Sequence, residues 1–380
     1  MALKTARRAA IPPFFVMEVM RAACEREAAG GDVLHLEVGQ PSTAAPAKVI
    51  AAAKAAVETE RLGYTEALGT PALRTAIARH YRRAYGLDLP PRRVVVTAGS
   101  SGGFVLAFLA AFEAGDRVAM ATPGYPCYRN ILTALGVEPV EIPVGPETRF
   151  QPTPELLAAA GQLDGLVIAS PANPTGTMLE PHEMEDLLDY CVAKGIRIIS
   201  DEIYHGITYG RAADTMLSIT DDAVIVNSFS KYFSMTGWRL GWLVVPEMLV
   251  RPIECLAQNL FISAPSLSQA AAVAAFDCRE ELDGHVARYA SNRALLLEEL
   301  PKAGLDRLAP ADGAFYLYAD VSALTDDSEA WCRQLLAETG VAITPGIDFD
   351  PVRGRQFVRL SFAGSTETIA DAAKRLRGWV

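Results

Sequence analysis

From about residue 48 onward, short apolar runs rich in β-branched residues alternate with helical patterns, and no repeat, low-complexity tract or long linker interrupts them. Strands separated by crossover helices run parallel, so this rhythm predicts an α/β fold: a mostly parallel central sheet flanked by helices. The strand candidates are 93–97, 117–121, 166–169, 196–200, 224–227 and 240–245. Helical patterns at 71–85, 103–114, 154–160 and 181–194 lie between most of them. Within the second, the unbroken apolar run 104–112 reads as a fully buried helix. The tail changes character, because a long helix near 277–300 leads into 315–320, 331–339 and 356–362, a smaller α+β unit. The first 45 residues lack the alternating rhythm and are expected to join that unit. Two domains follow, 46–277 as the large one and 1–45 with 278–380 as the small one, which suits 380 residues at about 100–200 per domain.

Charge and composition exclude several classes. With 35 basic against 45 acidic residues the chain carries −10, and it has no basic stripe for nucleic acid. The run 104–112 is the longest apolar stretch, far short of the ~20 residues of a membrane span. Lys4, Arg7 and Arg8 precede Pro12, Pro13 and Glu18, so no signal-peptide apolar core follows. Six scattered cysteines without a Cys-x-x-Cys pair read as reduced, packed thiols of a cytoplasmic protein. The five histidines lack ligand spacing, and Asp201 with His205 has no third partner, so no metal is expected.

Polar residues gather where the strand candidates end: Gly99-Ser100-Ser101, Thr122, Ser170 with Asn173, Asp201, and Ser228. In open α/β sheets, ligands occupy the crevice beyond the carboxyl ends of the strands. Gly99-Ser100-Ser101-Gly102-Gly103 follows a strand and opens a helix, an arrangement whose free amides attract phosphate. It also matches Gly-x-Ser-x-Gly, with Ser101 as the nucleophile of a serine hydrolase, but that reading requires a downstream acid and histidine. His285 lies in a helical stretch and no oxyanion segment is present. Ser228-Phe229-Ser230-Lys231 matches Ser-x-x-Lys without the accompanying Ser-Asp-Asn and Lys-Thr-Gly. Lys231 itself follows an apolar strand; on its own that suits an ordinary surface lysine, or else one at a cleft, where cations or low dielectric depress the pKa and allow Schiff bases. In 356–362, Val358, Leu360 and Phe362 share one strand face while Arg359 lies on the other, turned to the cleft as a fork for a carboxylate.

The segment from Ser228 through Lys231, Thr236-Gly237-Trp238-Arg239 and Gly241 resembles the lysine signature of the class I/II, aspartate-aminotransferase-like enzymes of fold type I, which use pyridoxal 5′-phosphate (PLP). Five further blocks resemble the same family in order: Tyr64-x4-Gly69-x3-Leu73-Arg74, Gly124-Tyr125-Pro126, Asn173-Pro174-Thr175-Gly176, Asp201-Glu202-Ile203-Tyr204 and Arg359-Leu360-Ser361-Phe362. The resemblance spans roughly residues 10–375. It implies that Lys231 is the Schiff base lysine, that Asp201 partners the pyridine nitrogen, and that Tyr204 and Asn173 reach the ring 3-oxygen. Glu202, on the opposite side of an extended segment, forms no catalytic dyad with Asp201. Tyr125 would stack on the ring, and Ser100, Ser101, Ser228 and Arg239 would hold the phosphate. Gly39 and Asn173 would line the substrate pocket with Arg359, and Ile11-Pro12-Pro13-Phe14-Phe15 offers either an apolar lid or ordinary loop packing. Tyr64 would reach the neighbouring subunit's site in a homodimer. The implied activity is transamination between an L-amino acid and a 2-oxo acid, a step of amino acid metabolism. A carbon–sulfur β-lyase on the same scaffold is the alternative, followed by a non-catalytic PLP-binding regulator and the serine hydrolase. Aspartate, alanine, aromatic, methionine and branched-chain donors all remain open.

Overall fold

The computed structural model describes residues 3–380. A seven-stranded sheet runs in the order Val94–Thr97, Gly241–Val244, Val224–Ser228, Arg197–Asp201, Gly165–Ala169, Arg117–Thr122, Glu138–Pro143. The five strands from Val224–Ser228 to Glu138–Pro143 are mutually parallel. Gly241–Val244 is antiparallel to both of its neighbours. Helices cover both faces, which is why the central strands read as continuous apolar runs with no alternation; Val224–Ser228 is buried at every position.

The helix Pro71–Tyr85 forms where the sequence supplies both ends. Thr70 accepts from the Leu73 N–H at 3.4 Å, Pro71 occupies the first turn, and Gly86 closes the helix at φ +72°. Its Leu73, Ile77 and Tyr81 lie at four-residue spacing and are buried. Two expectations need correction. Glu138–Pro143 is a strand that the sequence hides behind Pro139 and Pro143; as the edge of the sheet it tolerates residues without an N–H. The apolar helix begins at Gly99, four residues earlier than expected, and is not fully buried, since Leu109 is 38% exposed.

A second, four-stranded antiparallel sheet has the order Thr344–Pro345, Phe357–Ser361, Tyr316–Asp320, Arg307–Leu308. Leu34–His35 pairs in parallel with Val341–Ala342, and Ala23 clusters with Leu336 and Ala342, so the N-terminal segment meets the C-terminal one. Val16 and Ala45 nonetheless pack into the core of the large sheet. Among the described residues no helix is long and apolar enough to cross a membrane.

Candidate active site

Lys231 follows the strand Val224–Ser228 and is half-buried. Its Nζ donates to the Gly39 carbonyl at 2.6 Å and lies 5.6 Å from the Tyr204 ring centre and 5.9 Å from that of Phe315. Burial, then the neighbouring Arg359 guanidinium, pushes its pKa down to about 8, with Asp201 pulling weakly the other way. With a pKa near 8, about a tenth of the molecules carry a neutral amine at pH 7, far more than for an ordinary lysine.

Asp201 ends the strand Arg197–Asp201 and is 3% exposed. It accepts the Tyr128 hydroxyl and, at 3.1 Å, the Ile203 N–H. Burial raises its pKa to about 7, opposed first by the Tyr128 hydrogen bond. Glu202 faces away, as the strand period requires, and accepts from Ser200 at 3.1 Å, Thr215 at 3.0 Å and the Met216 N–H at 2.9 Å. His205 is likewise occupied: Nε2 meets the Ser170 carbonyl at 3.0 Å and Nδ1 the Tyr85 hydroxyl at 2.7 Å. Among the described residues no group of side chains has metal-site geometry.

The helix Gly99–Ala111 opens at the same rim, and its N-cap Ala98 supplies no capping side chain. Its first amides are therefore available to an anion. Arg239 leans over this end so closely that a Cβ on Gly99 would come within 2.6 Å of its guanidinium. A Cβ on Gly241 would come within 2.8 Å of the Ser100 nitrogen, so both glycines are needed for the close approach. Arg239 itself sits at φ +51° and donates to the Thr236 carbonyl at 3.0 Å. Ser100 is half-buried and Ser101 exposed, and among the described residues neither has a histidine partner. Ser228 points into its own loop, accepting from Ser230 at 2.8 Å and donating to the Leu240 carbonyl at 3.2 Å.

Arg359 is 2% exposed and packs flat against aromatic rings, 4.3 Å from the Tyr316 centre and 4.7 Å from that of Phe349. It donates to Asn173 Oδ1 at 2.9 Å and to the Glu37 carbonyl, while among the described residues its Nε has no partner. A buried guanidinium with a free N–H is a natural seat for a carboxylate. Gly39 lies against the Tyr316 hydroxyl, which a Cβ there would meet at 1.7 Å. Tyr125 is half-buried, edge-on to Tyr128 at 5.3 Å and to Phe14 at 6.1 Å. Phe14 is held there because the next two amides, of Phe15 and Val16, donate to the Asp348 carboxylate at 3.2 and 3.1 Å.

Lys231, Gly39, Tyr204, Asn173 and Arg359 thus converge, with the Asp201 and Arg239 charges close enough to act on Lys231 and Tyr128 linking Asp201 to Tyr125. Tyr64 is not brought in; it stands on the surface, 84% exposed. Sequence reasoning missed Tyr128, Tyr316, Phe349 and Asp348. The strand period contained a clue to Tyr316, because in the pairing of Tyr316–Asp320 with Phe357–Ser361 it lies diagonal to Arg359 on one face.

The sequence model described as Aminotransferase class I and II matches residues 31–376. The valine–pyruvate aminotransferase of Mycobacterium tuberculosis is 57% identical over 382 aligned residues, covering 99% of this chain and 98% of that protein. A crystal structure of an aminotransferase from M. tuberculosis superposes with a TM-score of 0.97 at 57% identity, over 100% of this chain and 99% of that one. The aspartate aminotransferase of Thermus thermophilus with maleate gives 0.93 at 30% identity, over the whole of both chains. Taken with the lysine and carboxylate at the rim of the large sheet and the guanidinium from the small one, these likenesses mean that the chain belongs to the class I and II aminotransferases and is an aminotransferase.

Proposed function

We propose that the chain binds PLP through Lys231 and moves the amino group between an apolar L-amino acid and a small 2-oxo acid, with valine and pyruvate as the first pair to test. The observation that carries this reading is the placement of Lys231 Nζ among Gly39, Tyr204 and the buried Arg359, whose Nε is unpartnered among the described residues. The valine–pyruvate pair is taken from the 57% identical relative. Two features of the pocket agree with an apolar donor. Phe14 and Tyr125 supply an aromatic wall, and Arg129, near that wall, is engaged by Glu141 at 2.6 Å.

The residues fit the cofactor. The uncapped amides of Ser100 and Ser101 with Arg239 suit its phosphate, aided by Ser228 once its hydroxyl turns from the loop. Asp201 suits a protonated pyridine nitrogen, Tyr125 the ring face, and Tyr204 with Asn173 the 3-oxygen. When bound, PLP supplies an electron sink and a carrier for the amino group. Arg359 holds the α-carboxylate by two parallel hydrogen bonds, and Gly39 lines the same pocket beside the Tyr316 hydroxyl. The neutral Lys231 Nζ takes the proton from the substrate α-carbon and holds it for return, a general base and then a general acid. The Tyr128 hydroxyl favours the charged form of Asp201, offsetting part of the upward push of burial.

A homodimer completes the reading. Tyr64 projects from the surface near Phe261 and Ile262, which are also exposed, and Phe261 lies against Gly102 at the anion seat. This is the arrangement expected if Tyr64 serves the neighbouring subunit's phosphate. The division into 46–277 as the cofactor domain, with 1–45 and 278–380 as the small domain, belongs to the same proposal, as does a cytoplasmic setting for a chain with six free thiols.

The test is a panel of single-turnover spectra: purified protein with PLP, mixed with each common amino acid without an acceptor. Conversion of the cofactor band to the pyridoxamine form, fastest with valine or alanine, supports the proposal. Steady release of pyruvate and ammonia from cystathionine would instead favour the β-lyase. Absence of any cofactor band would overturn the reading.

A further inference from the structure

Tyr316 is 1% exposed, and among the described residues its hydroxyl has one hydrogen-bond partner, the Tyr204 hydroxyl at 2.7 Å. Its ring lies 4.3 Å from the Arg359 guanidinium carbon. Its hydroxyl also fills the space in front of Gly39, whose carbonyl receives Lys231. One side chain therefore touches the lysine's support, the carboxylate fork and the tyrosine assigned to the cofactor. We infer, resting on the proposed cofactor seat, that Tyr316 is a positioning residue with two ends: its hydroxyl aims the Tyr204 proton outward at the 3-oxygen, and its ring holds the Arg359 fork in place for the substrate carboxylate.

A pair of phenols has two arrangements, because each hydroxyl carries one proton and can accept another. If Tyr204 donates to Tyr316, it has no proton left for any third group. An anionic oxygen in front of Tyr204 selects the other arrangement, in which Tyr316 donates to Tyr204 and Tyr204 donates outward. Chains of this kind polarise, so the outward bond is stronger than that of a lone phenol. Burial raises both phenols above their usual pKa of 10, so each keeps its proton to donate. The ring end is separate: an arginine stacked on an aromatic face in a dry site gains cation–π attraction and loses few rotamers on binding.

The experiment uses the PLP-loaded protein and two readouts, the pH midpoint of the cofactor's visible band and the affinity for 3-methylbutanoate, a carboxylate without an amine. The Tyr204 bond draws electron density at the 3-oxygen away from the proton shared with the Lys231 nitrogen, so weakening it moves the midpoint up. Tyr316→Phe is expected to raise the midpoint by about half a pH unit, less than Tyr204→Phe does. The double variant should go no further than Tyr204→Phe alone, because the two hydroxyls act in series. Affinity for 3-methylbutanoate should stay within about twofold in Tyr316→Phe, which keeps the ring, and fall about tenfold in Tyr316→Leu, which loses it. An unchanged midpoint in Tyr316→Phe, or shifts that add in the double variant, overturns the hydroxyl role. Unaltered binding by Tyr316→Leu overturns the ring role. A wild-type protein that shows no band with PLP overturns the cofactor seat itself, a result distinguishable from the others.

Discussion

An ammonium group cannot take a proton, so the base role proposed for Lys231 depends on what surrounds it. Its pKa near 8 comes from lost hydration and from the Arg359 charge, and replacing it by alanine removes that amine. Lys231→Ala is expected to cut transamination at least about 100-fold, the lower range for a lost general base, and retention of substantial turnover would refute the assignment. Tyr128 acts on a different atom. Tyr128→Phe strips Asp201 of its hydroxyl donor and lets burial push the carboxyl further toward its neutral form. PLP affinity should fall about tenfold, read by fluorescence titration, and an unchanged Kd would show that the Ile203 amide suffices. The contrast between these two residues explains what the sequence revealed about the site. Lys231, Asp201, Asn173 and Arg359 sit in contiguous blocks whose spacing can be recognised. Tyr128 and Tyr316 act on partners 73 and 112 residues away, and no local pattern encodes which tyrosine ends beside which acid or phenol.

Elements were legible where their ends carry side-chain signals. The 71–85 and 181–194 helices were read at their observed limits, because Thr70, Pro71 and Gly86 mark one, and Pro181 with Gly195 marks the other. Gly99 gave no such signal, and the edge strand was masked by its prolines. Thr70→Ala should cost about 1 kcal/mol, measured as a lowered denaturant midpoint at unchanged slope, because the Leu73 amide loses its acceptor. The short strand Leu34–His35 offers a pH-dependent counterpart. His35 lies between Glu37 at 2.8 Å and Glu27 at 3.3 Å, and chiefly through the Glu37 hydrogen bond its pKa is raised from 6.5 to about 9. The folded state therefore favours the protonated ring. Its contribution is complete below about pH 6.5 and disappears as pH rises through about 9. Wild type should exceed His35→Gln in denaturant midpoint at the acid end of this window and match it at the alkaline end; a gap that widens with pH would contradict the pairing.

The molecule as a whole presents Tyr64, Leu260, Phe261 and Ile262 to solvent, an apolar surface larger than isolated exposed residues would explain. Sedimentation should show a dimer, and Tyr64→Ala should weaken PLP retention about tenfold, the size of one lost hydrogen bond to a charged group. A fully active monomer would remove Tyr64 from the site. The strand–helix alternation of the large sheet was foreseeable, because buried parallel strands announce themselves by continuous apolar runs; the antiparallel insertion of Gly241–Val244 was not, since strand direction leaves no mark on a four-residue run. The borders of the large sheet have one more consequence. On one side, Val96 donates to the Leu68 carbonyl at 2.9 Å, so chain already covers that border. On the other, Pro139 and Pro143 lack the N–H that an incoming strand would need. A sheet this wide would otherwise template the growth of fibrils from misfolded copies; with both margins closed, edge-to-edge growth of this sheet is disfavoured.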